Sequence, residues 1–405
     1  MKRPPRRQVS FRVLVLALAV IVGLDVAVLT GLGGGSGGGI FQMSGSGSGK
    51  RPDVSATITL PIPNLHRILP LPLLPSPGAP SPGPSGGSPE PSPSASAPTP
   101  TPTPSGTSSG GTTTGPVNGM LFGSSSADRN GMDRIDVYQA LEKETDTQFN
   151  LHRIYYKWDD ALPGQLLSWD VKNHKVPALS IVARTHDGKV VKWADIANGK
   201  QDATIRNQAR QLKALGVPII LTFHHEPEND QQNGTPADYV AAWRHWVSIF
   251  RAEHVNNVSF AWIMMAYSFQ KSSHRNPDAF YPGDNYVDWI AADGYNMAGC
   301  QKSHPWTSFA NVFQPWRSWA ASKHPSKPLF IAEWGSLEDP NNPNHKAQWI
   351  SDALNTVANW PQVHAMSYFH SSVDCPWWLD SSNQAVDAFR QMSQAVAQDS
   401  AFRSR

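Results

Sequence analysis

The stretch "LTFHHEPEND", Leu221 to Asp230, runs from an apolar strand straight into two histidines and a glutamate. Glu226 stands at its end, and a second glutamate, Glu333, closes the later run "PLFIAEWG". Two carboxyl groups that converge can divide the work of breaking an acetal. One stays protonated and gives its proton to the leaving oxygen, while the other is ionised and attacks or stabilises the developing cation. Each charge raises the other's pKa, and that separates the two roles. His224 and His225 also raise the possibility of a metal site. The chain has no HExxH spacing and no evident third ligand, so the expected answer is no metal and no cofactor.

Convergence needs a scaffold, and the chain supplies one after Pro116. Eight short β-prone runs alternate with amphipathic helical segments over about 285 residues, near the roughly 250 typical of a (β/α)8 TIM barrel. The runs are "MLFGSS", "LHRIYYKW", "PALSIVAR", "PIILTFHHE", "VSFAWIMMAYSF", "VDWIAADGYN", "PLFIAEWG" and "VHAMSYFH". Between them lie segments such as "DATIRNQARQLKALG" and "KAQWISDALNTVANW". Such alternation predicts a parallel sheet with crossover helices, and eight repeats favour a closed α/β barrel. No glycine-rich dinucleotide fingerprint follows the first strand, which disfavours an open doubly wound sheet. In a barrel the site forms at the C-terminal strand ends. There the fourth strand contributes Glu226 and the seventh Glu333, nearly opposite one another.

The runs "FHHEPEND", "VDWIAADGYN" and "PLFIAEWGSLED" resemble those of glycoside hydrolase family 26, a family of endo-acting enzymes that includes β-mannanases. The resemblance extends over the whole catalytic domain, 117–405, from about Gly119 to the end. It implies that Glu226 is the acid/base, His225 its sugar-contacting partner, Glu333 the nucleophile and Tyr295 the tyrosine bonded to that nucleophile. It also implies reaction with retention. Two departures bear on substrate. "PENDQQNGTPADY" replaces the Asn-Gly and aromatics that commonly follow the acid/base, and "SYFH" offers Phe369 or Tyr368 where a tryptophan often floors the sugar site. Mannan, mixed-linkage β-glucan and β-1,3-xylan all stay open as substrates.

By strict strand alternation, Thr222, His224 and Glu226 share one face and His225 takes the other. Placing His225 on the sugar therefore requires a twist or bulge at the strand end. His224 is the alternative neighbour. Trp158, Trp334 and Phe369 are expected to contact substrate, with Trp306, Trp377 and Trp378 in neighbouring loops. Trp243, Trp246, Trp316, Trp319 and Trp349 fall at helical spacing and read as core.

Composition bounds the rest. Lys+Arg 34 against Asp+Glu 32 gives a formal charge of +2 over 405 residues. No basic stripe marks a nucleic-acid partner. The N-terminus, "MKRPPRRQVSFR" followed by "VLVLALAVIVGLDVAVLT", has the basic and apolar order of an export signal at 1–30. Its apolar run is also close to the ~20 residues of a membrane span. A cleaved signal and a retained anchor both fit, and either puts the remainder outside the cell, secreted or tethered to its surface. Residues 31–116 are Gly/Ser-rich, then Pro/Ser/Thr-rich, and read as a disordered linker. An apolar patch at 57–74 has no assigned role. A monomer is expected. Cys300 and Cys375 follow the sixth and eighth strands on the same rim, and an oxidising exterior predicts a disulfide between them. The competing function is a non-catalytic carbohydrate-binding protein on a degenerate barrel; retention of both glutamates with His225 and Tyr295 favours catalysis.

Overall fold

The computed structural model of the chain describes residues 119–300 and 304–403. The expected export segment and linker lie outside them. Eight parallel strands close in chain order into one barrel. They are β1 (Leu121–Ser126), β2 (Leu151–Lys157), β3 (Val176–Val182), β4 (Ile219–Phe223), β5 (Val258–Met265), β6 (Trp289–Asn296), β7 (Leu329–Ser336) and β8 (Val363–His370). Around them run helices α1 (Arg134–Glu144), α2 (Gln165–Lys172), α3 (Trp193–Ala197), α4 (Asp202–Leu215), α5 (Pro236–Ala252), α6 (Pro277–Phe280), α7 (Phe309–Lys323), α8 (His345–Ala358) and α9 (Asn383–Gln398). Among the described residues no helix is long and apolar enough to cross a membrane.

Local chemistry sets the helix limits. Thr235 and Asp238 form a reciprocal capping box ahead of Pro236, which starts α5 with the ring-fixed φ a helix needs. Gly216 ends α4 in the left-handed conformation that an L side chain resists.

Inward and outward residues alternate along each strand, and this builds the barrel interior in two zones. The lower zone is apolar: Leu121, Leu151, Ala178, Ile220, Ile263 and Trp289 pack together with their neighbours. Continuing the alternation upward brings Arg153 and Tyr155 from β2, Ser180 from β3, Asp293 and Tyr295 from β6, and Phe369 from β8. The active end is therefore polar because the same inward face changes composition partway up each strand.

Strand β7 breaks the alternation. Phe330 and Ala332 both face the apolar interior. Glu333 would then point outward, yet Asp293 pairs with it after a register shift that leaves Ala332 without a partner on β6. This bulge turns two consecutive residues inward and sends Trp334 to the helix layer. Trp334 is 0% exposed and stacks between Trp349 and Phe389. It has no face for a ligand, which corrects the expectation of a substrate contact. Trp158 is corrected likewise. It is 3% exposed, its Nε1 donates to Gln201, and its ring packs on the edge of Phe223.

The expected core tryptophans lie where their spacing puts them: Trp243, Trp246, Trp316 and Trp349 are buried and Trp319 packs partly buried against the same core. Two strand ends are shorter than the sequence suggests. The run "VSFAWIMMAYSF" leaves strand at Met265 and coils as a 3-10 turn over Ala266–Phe269. β4 stops at Phe223, before the histidines.

Cys300 and Cys375 form a disulfide with Cα atoms 5.7 Å apart, tying the loop after β6 to the loop after β8. It packs with Leu337 and Trp377 against Tyr295 and Phe369. The bond thus braces one wall of the barrel mouth. Closing so long a loop is worth about 2–4 kcal/mol, so reducing agent is expected to lower the melting temperature. Denatured, unreduced protein is expected to show no titratable thiol; finding two would contradict the bridge.

Candidate active site

The end of β4 answers the question raised by its two histidines. His224 and Glu226 both adopt left-handed backbone, with φ of 48° and 51°. Neither is glycine, so both conformations cost energy and persist only because surrounding bonds fix them. The His224 Nδ1 accepts the Ala183 N–H at 3.0 Å, which leaves Nε2 protonated to donate to Asp230 at 2.9 Å. Its ring is buried on the edge of Trp193. The Glu226 N–H donates to the Ile263 carbonyl at 3.1 Å, tying the turn to β5. Two reversals replace simple alternation, and they place His224 outward and His225 over the barrel mouth. His225 lies with its ring 5.6 Å from that of Tyr155. Its Nδ1 is buried without a protein partner. Burial, with Arg153 and His224 adding to it, pushes the His225 imidazole well below its ordinary pKa, so it is neutral.

Glu226, Asp293 and Glu333 each present a carboxylate oxygen, and these oxygens lie within 4.8 Å of one another. Their surroundings differ sharply. Glu333 is buried and accepts from two phenols: Tyr155 OH donates to Oε1 at 2.7 Å and Tyr295 OH to Oε2 at 2.5 Å. The Arg153 guanidinium, 1% exposed, stands 3.6 Å from Oε1. Burial, and then the Glu333 charge, raise both phenols well above the usual tyrosine range, so they remain donors.

Glu226 accepts from the Asn229 side-chain amide, which lies 2.9 Å from Oε2. Tyr267 and Arg275 both donate to the Asn229 Oδ1, so the amide is held with its NH₂ toward Glu226. Oε2 must then be an acceptor, and a proton on Glu226 belongs on Oε1. Burial, followed by the charges of Glu333 and Glu228, lifts Glu226 to about 8. Asp293 is raised as well, by burial first and then by Glu333 and Glu226. Among these groups the one guanidinium, Arg153, faces Glu333. The remaining two carboxyls favour protons, and with Arg153 already supplying the balancing charge the cluster is poorly suited to a divalent cation.

Glu228, the other acid of the "EPEND" turn, has a different job. It is buried and accepts from the Met265 N–H and the Ser268 hydroxyl, both at 2.8 Å, which pins the loop after β5.

The structure brings Glu226, Glu333, His225, Tyr295 and Phe369 together. The ring of Phe369 meets the edges of both Tyr295 and Tyr155, at 5.7 and 6.5 Å. Trp377 is buried against Tyr295, Trp378 is covered by Arg129 at 4.4 Å, and Trp306 stacks on His345 at 3.7 Å. Sequence reasoning missed Arg153, Tyr155 and Asn229, and set Asp293 at the polar rim without a role. The two-residue period in "HRIYY" and "DGY" carried a signal for Arg153, Tyr155 and Asp293, since it sets them on the inward face. Nothing in the sequence marked Asn229, whose position depends on the 3-10 turn over Pro227–Asn229.

The Glu226 environment has a measurable consequence. Its raised pKa means the folded state holds a proton that the unfolded chain releases near pH 4.5. Stability from this group is therefore full at low pH and lost as pH rises through about 8. Glu226→Gln removes that loss. Its melting temperature is expected to exceed the wild type's by a few degrees at pH 8, with little difference at pH 4; an equal gain at both would contradict the raised pKa.

A parallel barrel with carboxyl groups clustered at its C-terminal mouth defines an α/β barrel with a candidate catalytic rim. Residues 170–328, which include Glu226, Asp293 and Tyr295 and stop short of Glu333, match the model of glycosyl hydrolase family 26. Over that stretch the chain is similar to glycosyl hydrolase family 26. It is 36% identical over 223 residues to Endoglucanase H of Acetivibrio thermocellus, covering 52% of this chain and 24% of that protein's length. Among solved structures it is similar to a family 26 β-mannanase of Bacteroides ovatus, with 15% identity, a TM-score of 0.50, and coverage of 69% of this chain and 89% of that one. The family 26 domain of a Prevotella bryantii endo-β-mannanase/endo-β-glucanase gives 15% identity and a TM-score of 0.48, covering 71% of this chain and 90% of that one.

Proposed function

We propose that this chain is an exported, retaining endo-β-glycosidase that hydrolyses a β-linked polysaccharide by double displacement. The carrying observation is the pair Glu226 and Glu333, with oxygens within 4.8 Å, Glu226 raised in pKa by burial and Glu333 held by two phenols beside Arg153. Retaining enzymes hold their carboxyls about 5–5.5 Å apart, whereas inverting enzymes leave about 6.5–9.5 Å for a water. In this reading Glu226 protonates the leaving oxygen through Oε1 while Glu333 attacks the anomeric carbon. Glu226, now ionised, then takes a proton from water, which displaces Glu333 from the sugar. Neutral His225 and protonated Asp293 line the cavity as hydrogen-bonding groups that add no further charge. Phe369 floors the sugar site.

Identity to Endoglucanase H makes a β-glucan the first candidate substrate, ahead of mannan or β-1,3-xylan. Export rests on the basic and apolar N-terminal sequence, and the Pro/Ser/Thr-rich stretch would space the enzyme from its attachment. The purified chain is expected to release reducing ends from mixed-linkage β-glucan. Binding to polysaccharide with no release from glucan, mannan or xylan would instead favour the carbohydrate-binding reading.

A further inference from the structure

The nucleophile's two oxygens are held differently, and the difference lies on β2. Arg153 and Tyr155 are successive inward residues of that strand, so one rigid element presents a cation and a phenol to the same oxygen, Oε1. The two also brace each other. The Arg153 Cζ lies 4.7 Å from the centre of the Tyr155 ring, and Arg153 is tied below to the Ser180 hydroxyl at 2.8 Å and the Ala178 carbonyl at 3.4 Å. Oε2 has a single donor, Tyr295. Resting on the glycosidase reading above, we propose that Tyr155 is a positioning residue that reserves Oε1 as the non-attacking oxygen of Glu333, so that Oε2 alone bonds to the sugar.

The chemistry follows from that asymmetry. An oxygen holding a phenol and facing a guanidinium has its lone pairs engaged and its charge stabilised, and is the poorer nucleophile. As Oε2 forms its bond to the anomeric carbon, the bond from that carbon to the leaving oxygen breaks and Glu226 supplies the proton. The Glu333 charge disappears into a neutral ester while Glu226 becomes the anion. Tyr155 now donates to the ester carbonyl, Oε1. When water breaks the ester, charge returns to Glu333 and Tyr155 is already in place to receive it. Tyr155 therefore assists both steps without touching the anomeric carbon.

Tyr155→Phe removes one oxygen and keeps the ring against Arg153, His225 and Phe369. A hydrogen bond to a charged group is worth about 10- to 100-fold in rate. On the polysaccharide that the wild type cleaves, kcat is expected to fall by that factor with KM nearly unchanged and the melting temperature close to wild type. An unchanged kcat, or a loss confined to KM, overturns the proposal. Should the variant not fold, the wild type decides the matter alone. It is trapped with 2,4-dinitrophenyl 2-deoxy-2-fluoro-β-glycosides of cellobiose and of mannobiose, and the trapped enzyme is crystallised. An ester through the oxygen beside Tyr295, with Tyr155 still on the carbonyl, supports the assignment. An ester through the oxygen beside Tyr155 refutes it. A folded wild type inactive on every polysaccharide is a separate result that removes the glycosidase reading, and the proposal with it.

Discussion

Glu333→Ala is expected to abolish turnover on every substrate, by on the order of 10⁴–10⁶-fold. Without this carboxylate no glycosyl-enzyme forms, whatever the leaving group. The cavity it leaves is lined by Tyr155, Tyr295 and Arg153, three groups that attract an anion. Azide is therefore expected to enter that space and attack an activated β-glycoside directly, releasing an α-glycosyl azide. The same loss strands a buried guanidinium, because no other carboxylate lies within ion-pair distance of Arg153 among the described residues. The variant is accordingly expected to melt below the wild type, opposite in sign to Glu226→Gln. Mass spectrometry for a covalent adduct, NMR of the azide product and a melting curve check the three parts. A Glu333→Ala enzyme that still forms an adduct would remove Glu333 from the nucleophile's place.

Glu226→Ala is expected to fail differently. On polysaccharide the lost proton transfer costs about 10²–10⁴ in rate. On an activated aryl glycoside the leaving phenolate hardly needs a proton, so the first step stays fast. The second then stalls, since the base that activates water is gone as well. Adduct is expected to accumulate at steady state, and azide to restart turnover with a β-glycosyl azide of retained configuration. Asp293 is the residue to watch here. Its oxygen lies close to both glutamates, and a substantial residual rate in Glu226→Ala would mean that Asp293 takes over as base. Identical behaviour of the two variants would undo the division of roles.

How far the sequence reached depends on which physical signal each residue rests on. The barrel was legible because eight repeats of one alternation are hard to produce otherwise, and the two glutamates because strand ends define a single rim. Trp334 was misplaced because a single extra residue in β7 reverses inside and outside, and no local propensity in "FIAEWG" announces that bulge. His225 was separable from His224 only by assuming a broken strand. The break itself rests on bonds from Ala183 and Ile263, distant in sequence. Tyr155 and Arg153 were missed for another reason: their period sets them inward, but their residue types suit any inward strand, and only the closed barrel brings them to Glu333. Asn229 depends on a turn whose orientation Tyr267 and Arg275 fix from the next loop. Contacts made across the barrel, and not residue identity, carry this part of the site.

In the proposed mechanism Glu226 and Glu333 cleave a β-linked polysaccharide by double displacement. Proton NMR of the first reducing ends released, recorded before mutarotation, tests it most directly. The expected signal is the β-anomer appearing first and decaying toward the equilibrium mixture. A first-formed α-anomer would show a single displacement by water, and would contradict both the nucleophilic role of Glu333 and the account built on it.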